Sequence, residues 1–273
     1  RGVTDGQGRM VRVPERVTRV VALAPSATEI VYALGAGPAV VGLDRFSDYP
    51  PETKQVEKVG GDVEPSLERI VALKPDVVFT ATTANTLATV RALERLGIAV
   101  YVSRPDSVEE VYRDVRGIAD ALGRHEAGVR LTDEMRARIE RVRAAHAEGP
   151  RVPTLLVVWA EPLVVVGKGS HVAELLAIAG GRNVAGDAEQ PFPTYSVERV
   201  LARAPEVLIV GTHAEGAPPM RSLERLTTLP AVRNRRIHLV DGDLMFRPGP
   251  RLPDGAEAIA RVLHPAAGDG GAR

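Results

Sequence analysis

Two glutamates carry the most specific chemical signal in this chain. Glu68 and Glu198 occupy the same place in a repeated stretch, offset by 130 residues. Ser66-Leu-Glu-Arg-Ile-Val-Ala-Leu-Lys-Pro-Asp-Val-Val-Phe79 recurs without a gap as Ser196-Val-Glu-Arg-Val-Leu-Ala-Arg-Ala-Pro-Glu-Val-Leu-Ile209. A carboxylate in the first turn of a helix is favoured by the helix dipole and by capping, which is the structural explanation. The functional one is that two matching lobes present two carboxylates to a basic partner with two-fold symmetry. Aromatic rings are the second signal. They form only 4% of the chain. Phe46 precedes a Ser-Asp-Tyr-Pro-Pro loop, Phe192 stands between Pro191 and Pro193, and Phe246 lies in Asp243-Leu-Met-Phe-Arg247. Large rings in proline-bounded loops are poor core material and good ligand walls. Trp159, at a strand end, fits a core or a rim equally.

Catalytic signatures are missing. There is no cysteine, so thiolate metal sites and cysteine nucleophiles are excluded. The histidines at 125, 146, 171, 213, 238 and 264 lack metal-ligand spacing. Of these, His171 opens a predicted helix and is the one to follow. Gly35-Ala-Gly37 ends a helix and is the wrong context for a dinucleotide turn. Gly167-Lys-Gly-Ser170 opens a helix but lacks the rest of a phosphate loop, and no nucleophile elbow occurs. A two-domain α/β enzyme is the alternative of a different class, and nothing in the residues supports it.

The elements that must position these residues alternate. Each copy of the repeat reads as an N-cap serine, a short amphipathic helix, a proline stop and an apolar strand. Strands are expected at 19–23, 40–43, 77–79, 99–102, 154–159, 164–166, 207–209 and 236–240. Helices are expected at 27–34, 86–96, 170–179, 222–229 and 254–263. The pattern predicts an α/β fold of two Rossmann-like lobes with mainly parallel sheets. Residues 107–148 carry no strand and no proline. Apolar residues there recur at helical spacing among many arginines, which reads as one or two long helices with a solvated charged face, bridging the lobes. The expected divisions are an N-terminal hairpin at 1–16, a lobe at 17–106, the helical connector at 107–149, a second lobe at 150–264 and a disordered tail at 265–273.

Composition sets bounds. The 273 residues are 44% hydrophobic, enough for two cores. Basic and acidic residues balance at 35 each, which argues against nucleic acid or an anionic membrane as a partner held by bulk charge. No apolar run approaches the ~20 residues of a membrane span.

Taken with Val21-Ala-Leu-Ala-Pro-Ser-Ala-Thr-Glu29, Phe46-Ser-Asp-Tyr-Pro-Pro51 and Gly180-Gly-Arg-Asn183, the repeat and the connector resemble the substrate-binding proteins of ABC importers for cobalamin, haem and iron-siderophores. The resemblance spans about 17–263 and is nearest to the vitamin B12-binding members. It implies a monomer with two lobes joined by one long helix, clamping its ligand between them and requiring no cofactor or protein metal ligand. It implies a periplasmic or extracellular location, with an export signal or lipid anchor expected upstream of Arg1. Glu68 and Glu198 then engage arginines of the membrane permease dimer. Phe46, Asp62, Trp159, Phe192, Asp243, Leu244, Met245, Phe246 and Arg247 match ligand-contacting positions.

Two departures bear on the ligand. Asp62 stands where the best-known vitamin B12 binder has a tryptophan, and Leu244-Met245-Phe246 replaces a Trp-Phe-Glu order. A corrinoid, cobalamin, is the first expectation. Haem is the second, with Tyr195 or His171 as the iron ligand. A ferric siderophore held by Arg45, Arg247 and Arg251 is the third.

Overall fold

The computed structural model describes residues 1–61, 64–82, 87–212, 223 and 226–265. The chain divides into two compact units, Arg1–Met135 and Arg136–Arg273.

The first unit opens with an antiparallel hairpin of β1 (Gly2–Thr4) and β2 (Met10–Arg12). Asp5 organises its turn by accepting from the backbone N–H groups of Gln7 and Arg9, at 3.0 and 2.9 Å. The sheet that follows contains β3 (Val20–Ala22), β4 (Val40–Leu43), β5 (Val77–Ala81) and β6 (Ala99–Ser103), in the order β4-β3-β5-β6 and parallel throughout. Its strands are short, nearly continuous apolar runs, as expected where helices cover both faces. Helices α1 (Pro25–Ala33), α2 (Leu67–Ala72), α3 (Leu87–Arg95) and α4 (Val108–Ala121) connect and cover them. Val21, Val78, Val100, Ile70, Val90 and Leu93 form part of its core.

The connector is two helices. Gly123, at φ 70, separates α4 from α5 (His125–Ala145). Helix α4 buries Val111, Val115 and Ile118 in the first unit. The chain passes from one unit to the other inside the 21-residue α5. Arg130, Arg136, Arg141 and Arg143 lie on its exposed surface, as the sequence predicts. Arg138 does not. It ion-pairs with Asp254 and Glu257 on the closing helix, the latter at 2.9 Å.

The second unit contains β7 (Val152–Ala160), β8 (Leu163–Val165), β9 (Gly181–Asn183), β10 (Val207–Thr212) and β11 (Ile237–Asp241). The order is β11-β10-β7-β8, with β9 also paired to β7; only β8 is antiparallel. Helices α6 (His171–Ile178), α7 (Val197–Arg203), α8 (Pro230–Arg233), α9 (Gly242–Phe246) and α10 (Leu252–Leu263) complete it. β9, α8 and α9 are one-turn or three-residue elements, too short for periodicity to reveal.

The repeat is preserved in detail. Ser66 and Ser196 both cap their helices, accepting from the N–H of Arg69 and Arg199 at 3.3 Å. Lys74 and Ala204 both turn left-handed, at φ 46 and 45, before the prolines that end each helix. β5 and β10 are interior strands of their sheets. The start of the predicted 86–96 helix, positions 222, 224 and 225 of the 222–229 helix, residues 266–273 of the tail and Asp62 lie outside the described residues; the described end of that second helix, 226–229, is a turn instead, leading directly into Pro230 at the start of α8. No described helix is long and apolar enough to cross a membrane.

Candidate ligand-facing loops and docking helices

In open parallel sheets, side chains that meet ligands come from loops beyond the carboxyl ends of the strands. In the first unit that loop follows β4. Asp44 is fully buried. One of its oxygens accepts the Phe46 N–H at 2.8 Å, and the other accepts the Ser47 hydroxyl. Ser47 also bonds Thr28 at 2.8 Å, and the Lys58 ammonium donates to the Ser47 carbonyl. Burial lowers the pKa of Lys58, against the pull of Asp44 and Asp48. This polar underside presents the rings outward: Phe46 is 46% and Tyr49 44% exposed. The Arg45 guanidinium lies 4.8 Å from the Phe46 ring centroid, a cation–π contact. Tyr49 is an exposed ring that the sequence reading left out, though it sits within the Ser-Asp-Tyr-Pro-Pro motif.

In the second unit Trp159, near the end of β7, is 46% exposed. Of the two sequence alternatives, packing in the core is excluded for this side chain. Phe192 is 43% exposed, on a loop stitched to β8 and its continuation. The Val165 N–H donates to Pro193, that of Gly167 to Pro191 and that of Lys168 to Ala188, at 3.1, 2.8 and 2.9 Å. Gly167 is required there because a Cβ would collide with the Gln190 carbonyl.

Residues 243–246 belong to the helical turn α9, not to a loop, and Arg247 follows it in extended backbone. Asp241 caps it, accepting the Asp243 N–H at 2.9 Å. Asp243 and Arg247 pair at 2.9 Å along it. Leu244 and Phe246 are half-buried, and the Phe246 ring covers Gly211, where a Cβ would collide with it, and lies close over Gly242, where a Cβ would collide with the Thr212 carbonyl. Met245 corrects the sequence expectation. It is fully buried, because one face of a turn packed on a sheet must enter the core, so it supports the segment from beneath.

The two proposed iron donors are also committed inside the fold. His171 is buried, and its Nε2 lies 3.0 Å from the Met245 carbonyl. Tyr195 is 3% exposed and donates to Asp187 at 3.2 Å, with the Arg199 guanidinium 4.4 Å from its ring centroid. Asp187 also pairs with Arg199 and Arg203 at 2.7 and 2.6 Å, and these hydrogen bonds hold its carboxyl down to about 2. Among the described residues no cluster of three or more metal-ligating side chains occurs.

Glu68 and Glu198 are exposed in the first turns of α2 and α7. The backbone N–H at the helix start and the Ser196 hydroxyl lower the pKa of Glu198. Both glutamates therefore present charge outward from a helix end held by a serine cap.

A cavity of about 820 Å³ lies elsewhere. Arg1, Asp5, Tyr101, Arg113, Asp114 and His125 are among its lining residues, in the first unit where the hairpin meets α4. Charged side chains crowd its lining and none of the exposed rings is among them, so the carboxyl-end loops remain the better candidate for an apolar ligand.

Residues 20–244 match the family model described as periplasmic binding protein. The vitamin B12-binding protein of Vibrio cholerae serotype O1 is 28% identical over 250 residues, covering 92% of this chain and 90% of that protein. The crystal structure of periplasmic vitamin B12 binding protein BtuF of Vibrio cholerae superposes with a TM-score of 0.81 at 28% identity, over 92% of this chain and 98% of the other. The periplasmic heme-binding protein RhuT from Roseiflexus superposes with a TM-score of 0.79, also at 28% identity, over 91% and 100%.

Proposed function

The chain belongs to the periplasmic binding protein family, and we propose that within it the ligand is a corrinoid, cobalamin, passed to the permease of an ABC importer. One observation carries the choice. The exposed groups on the candidate loops are rings, Phe46, Trp159 and Phe192 among them, while His171 and Tyr195 are buried and hydrogen-bonded. A corrin is a broad apolar disc rimmed by amides, and its cobalt arrives already coordinated. It needs faces and a few polar contacts, which Asp243 and Arg247 supply, and no iron donor from the protein. The similarity to vitamin B12-binding relatives over most of the chain supports the same reading. A siderophore reading is weaker, since the Arg45 guanidinium is engaged on the Phe46 ring.

Haem is the second reading, and Tyr49 favours it. Its ring is 44% exposed beside Phe46, and a phenolate is an established kind of haem ligand. Similarity to a haem-binding structure at the same identity keeps this reading in play. The test is calorimetry with cyanocobalamin and, separately, haem, with visible spectra of each mixture. Tight cyanocobalamin binding unchanged by Tyr49→Phe supports the corrinoid. Haem binding with an altered Soret band that Tyr49→Phe abolishes, with no cyanocobalamin binding at tens of micromolar, assigns haem.

A further inference from the structure

The arginine after each repeated glutamate makes a similar reach in both units. Arg69 and Arg199 hold equivalent positions, 130 residues apart. In the first unit Arg69 donates to the Lys58 carbonyl at 3.1 Å. Lys58 in turn donates to the Ser47 carbonyl, next to Phe46, whose own N–H is held by Asp44. In the second unit Arg199 donates to Asp187 at 2.7 Å and lies over the Tyr195 ring. Asp187 and Tyr195 bracket the segment that carries Phe192. Each helix that displays a glutamate is thereby joined, through the next side chain, to the loop that displays a phenyl ring.

We propose that Arg69 and Arg199 are positioning residues that brace the two ring-bearing loops against the two docking helices. The inference rests on the proposed function for what the rings and glutamates meet, but the braces themselves are contacts within each unit. A planar guanidinium suits the task, because its donors are preorganised and lose little freedom per bond formed. A brace makes loop and helix respond together, so a ligand that immobilises Phe46 or Phe192 also steadies the helix carrying Glu68 or Glu198. The two braces differ in chemistry. Arg199 meets a carboxylate, so its bond is charge-assisted, whereas Arg69 meets a neutral carbonyl. The second-unit brace should therefore be the stronger.

Hydrogen exchange read by mass spectrometry tests this on the whole chain. The variants are Arg69→Ala and the pair Arg199→Ala/Arg203→Ala, since Arg203 alone would keep a hold on Asp187. Arg203→Ala by itself leaves Arg199 in place and serves as the control. In ligand-free protein, Arg69→Ala should speed exchange in 44–58 about threefold, and the paired variant should speed it in 184–195 about tenfold. The control should stay within twofold. With saturating cyanocobalamin, wild type should slow exchange in each loop and in its helix, 67–72 or 197–203. The braceless variants should slow it in the loop only. Unchanged loop exchange in both variants, or helix protection that survives them, overturns the proposal. If wild type binds no cyanocobalamin, the proposed ligand falls, and the ligand-free exchange decides the braces alone.

Discussion

Replacing Phe192 by alanine separates a ligand-facing ring from a core ring. The ring is 43% exposed between two prolines, on a loop tied by backbone hydrogen bonds to β8 and its continuation. Those bonds do not involve the side chain, so the loop should keep its course in the variant. An aromatic side chain offers roughly 200 Å² to bury, so about 85 Å² of Phe192 remains for a ligand to cover. At about 25 cal/mol per Å² that is ~2 kcal/mol, or roughly a 30-fold weaker dissociation constant once the ring is removed. The covered remainder, about 115 Å² by the same arithmetic, sets an upper bound of ~3 kcal/mol on the cost to folding, so affinities are compared where the variant is fully folded. Titration calorimetry with cyanocobalamin gives the affinity, quenching of the single tryptophan, Trp159, gives an independent check, and thermal unfolding gives the stability. An affinity within twofold of wild type, measured on the folded variant, would refute the assignment of Phe192 to the ligand. A loss of stability well above ~3 kcal/mol would refute the claim that the ring is only partly covered by the protein.

Met245→Ala should behave in the opposite way, losing ~2–5 kcal/mol of stability because the side chain is fully buried; thermal or urea unfolding reads this directly. Asp114 makes a pH-dependent prediction. Burial pushes its carboxyl up to about 7, opposed by hydrogen bonds from Arg104 and Tyr101 and assisted by Glu110. The folded state then holds the proton more tightly than the unfolded one, so this group's contribution to stability falls as pH rises from about 4 to about 7. Asp114→Asn should therefore gain on wild type by ~2–4 kcal/mol between pH 4 and pH 8 in paired melting curves, and a constant difference would contradict the account. Glu68→Arg/Glu198→Arg should leave cyanocobalamin affinity unchanged and abolish ligand-driven uptake, since reversing charges at a desolvated interface costs ~2–5 kcal/mol each; full uptake by the double variant would exclude docking through these helices.

The sequence by itself determined whatever depends on neighbours a few residues away. Ser66 and Ser196 cap their helices because a serine hydroxyl reaches an N–H three positions on, and the prolines after Lys74 and Ala204 end those helices through their fixed φ and missing donor. The apolar runs of β5 and β10 had to be interior strands, since only burial on both faces suits them. The repeat therefore disclosed two α/β lobes, and its glutamates had to emerge on exposed first turns. The tertiary structure alone decided which chemically capable side chains are available. His171 meets the carbonyl of Met245, 74 residues away, and Tyr195 is enclosed by Asp187 and Arg199. Met245 and Phe246 are sequence neighbours, yet one is buried in the core and the other covers two glycines, because a short helix lying on a sheet sorts successive residues by direction. Residue type and spacing identify what a side chain can do, but burial and long-range partners decide whether it is left available, and those arise only when distant segments pack together.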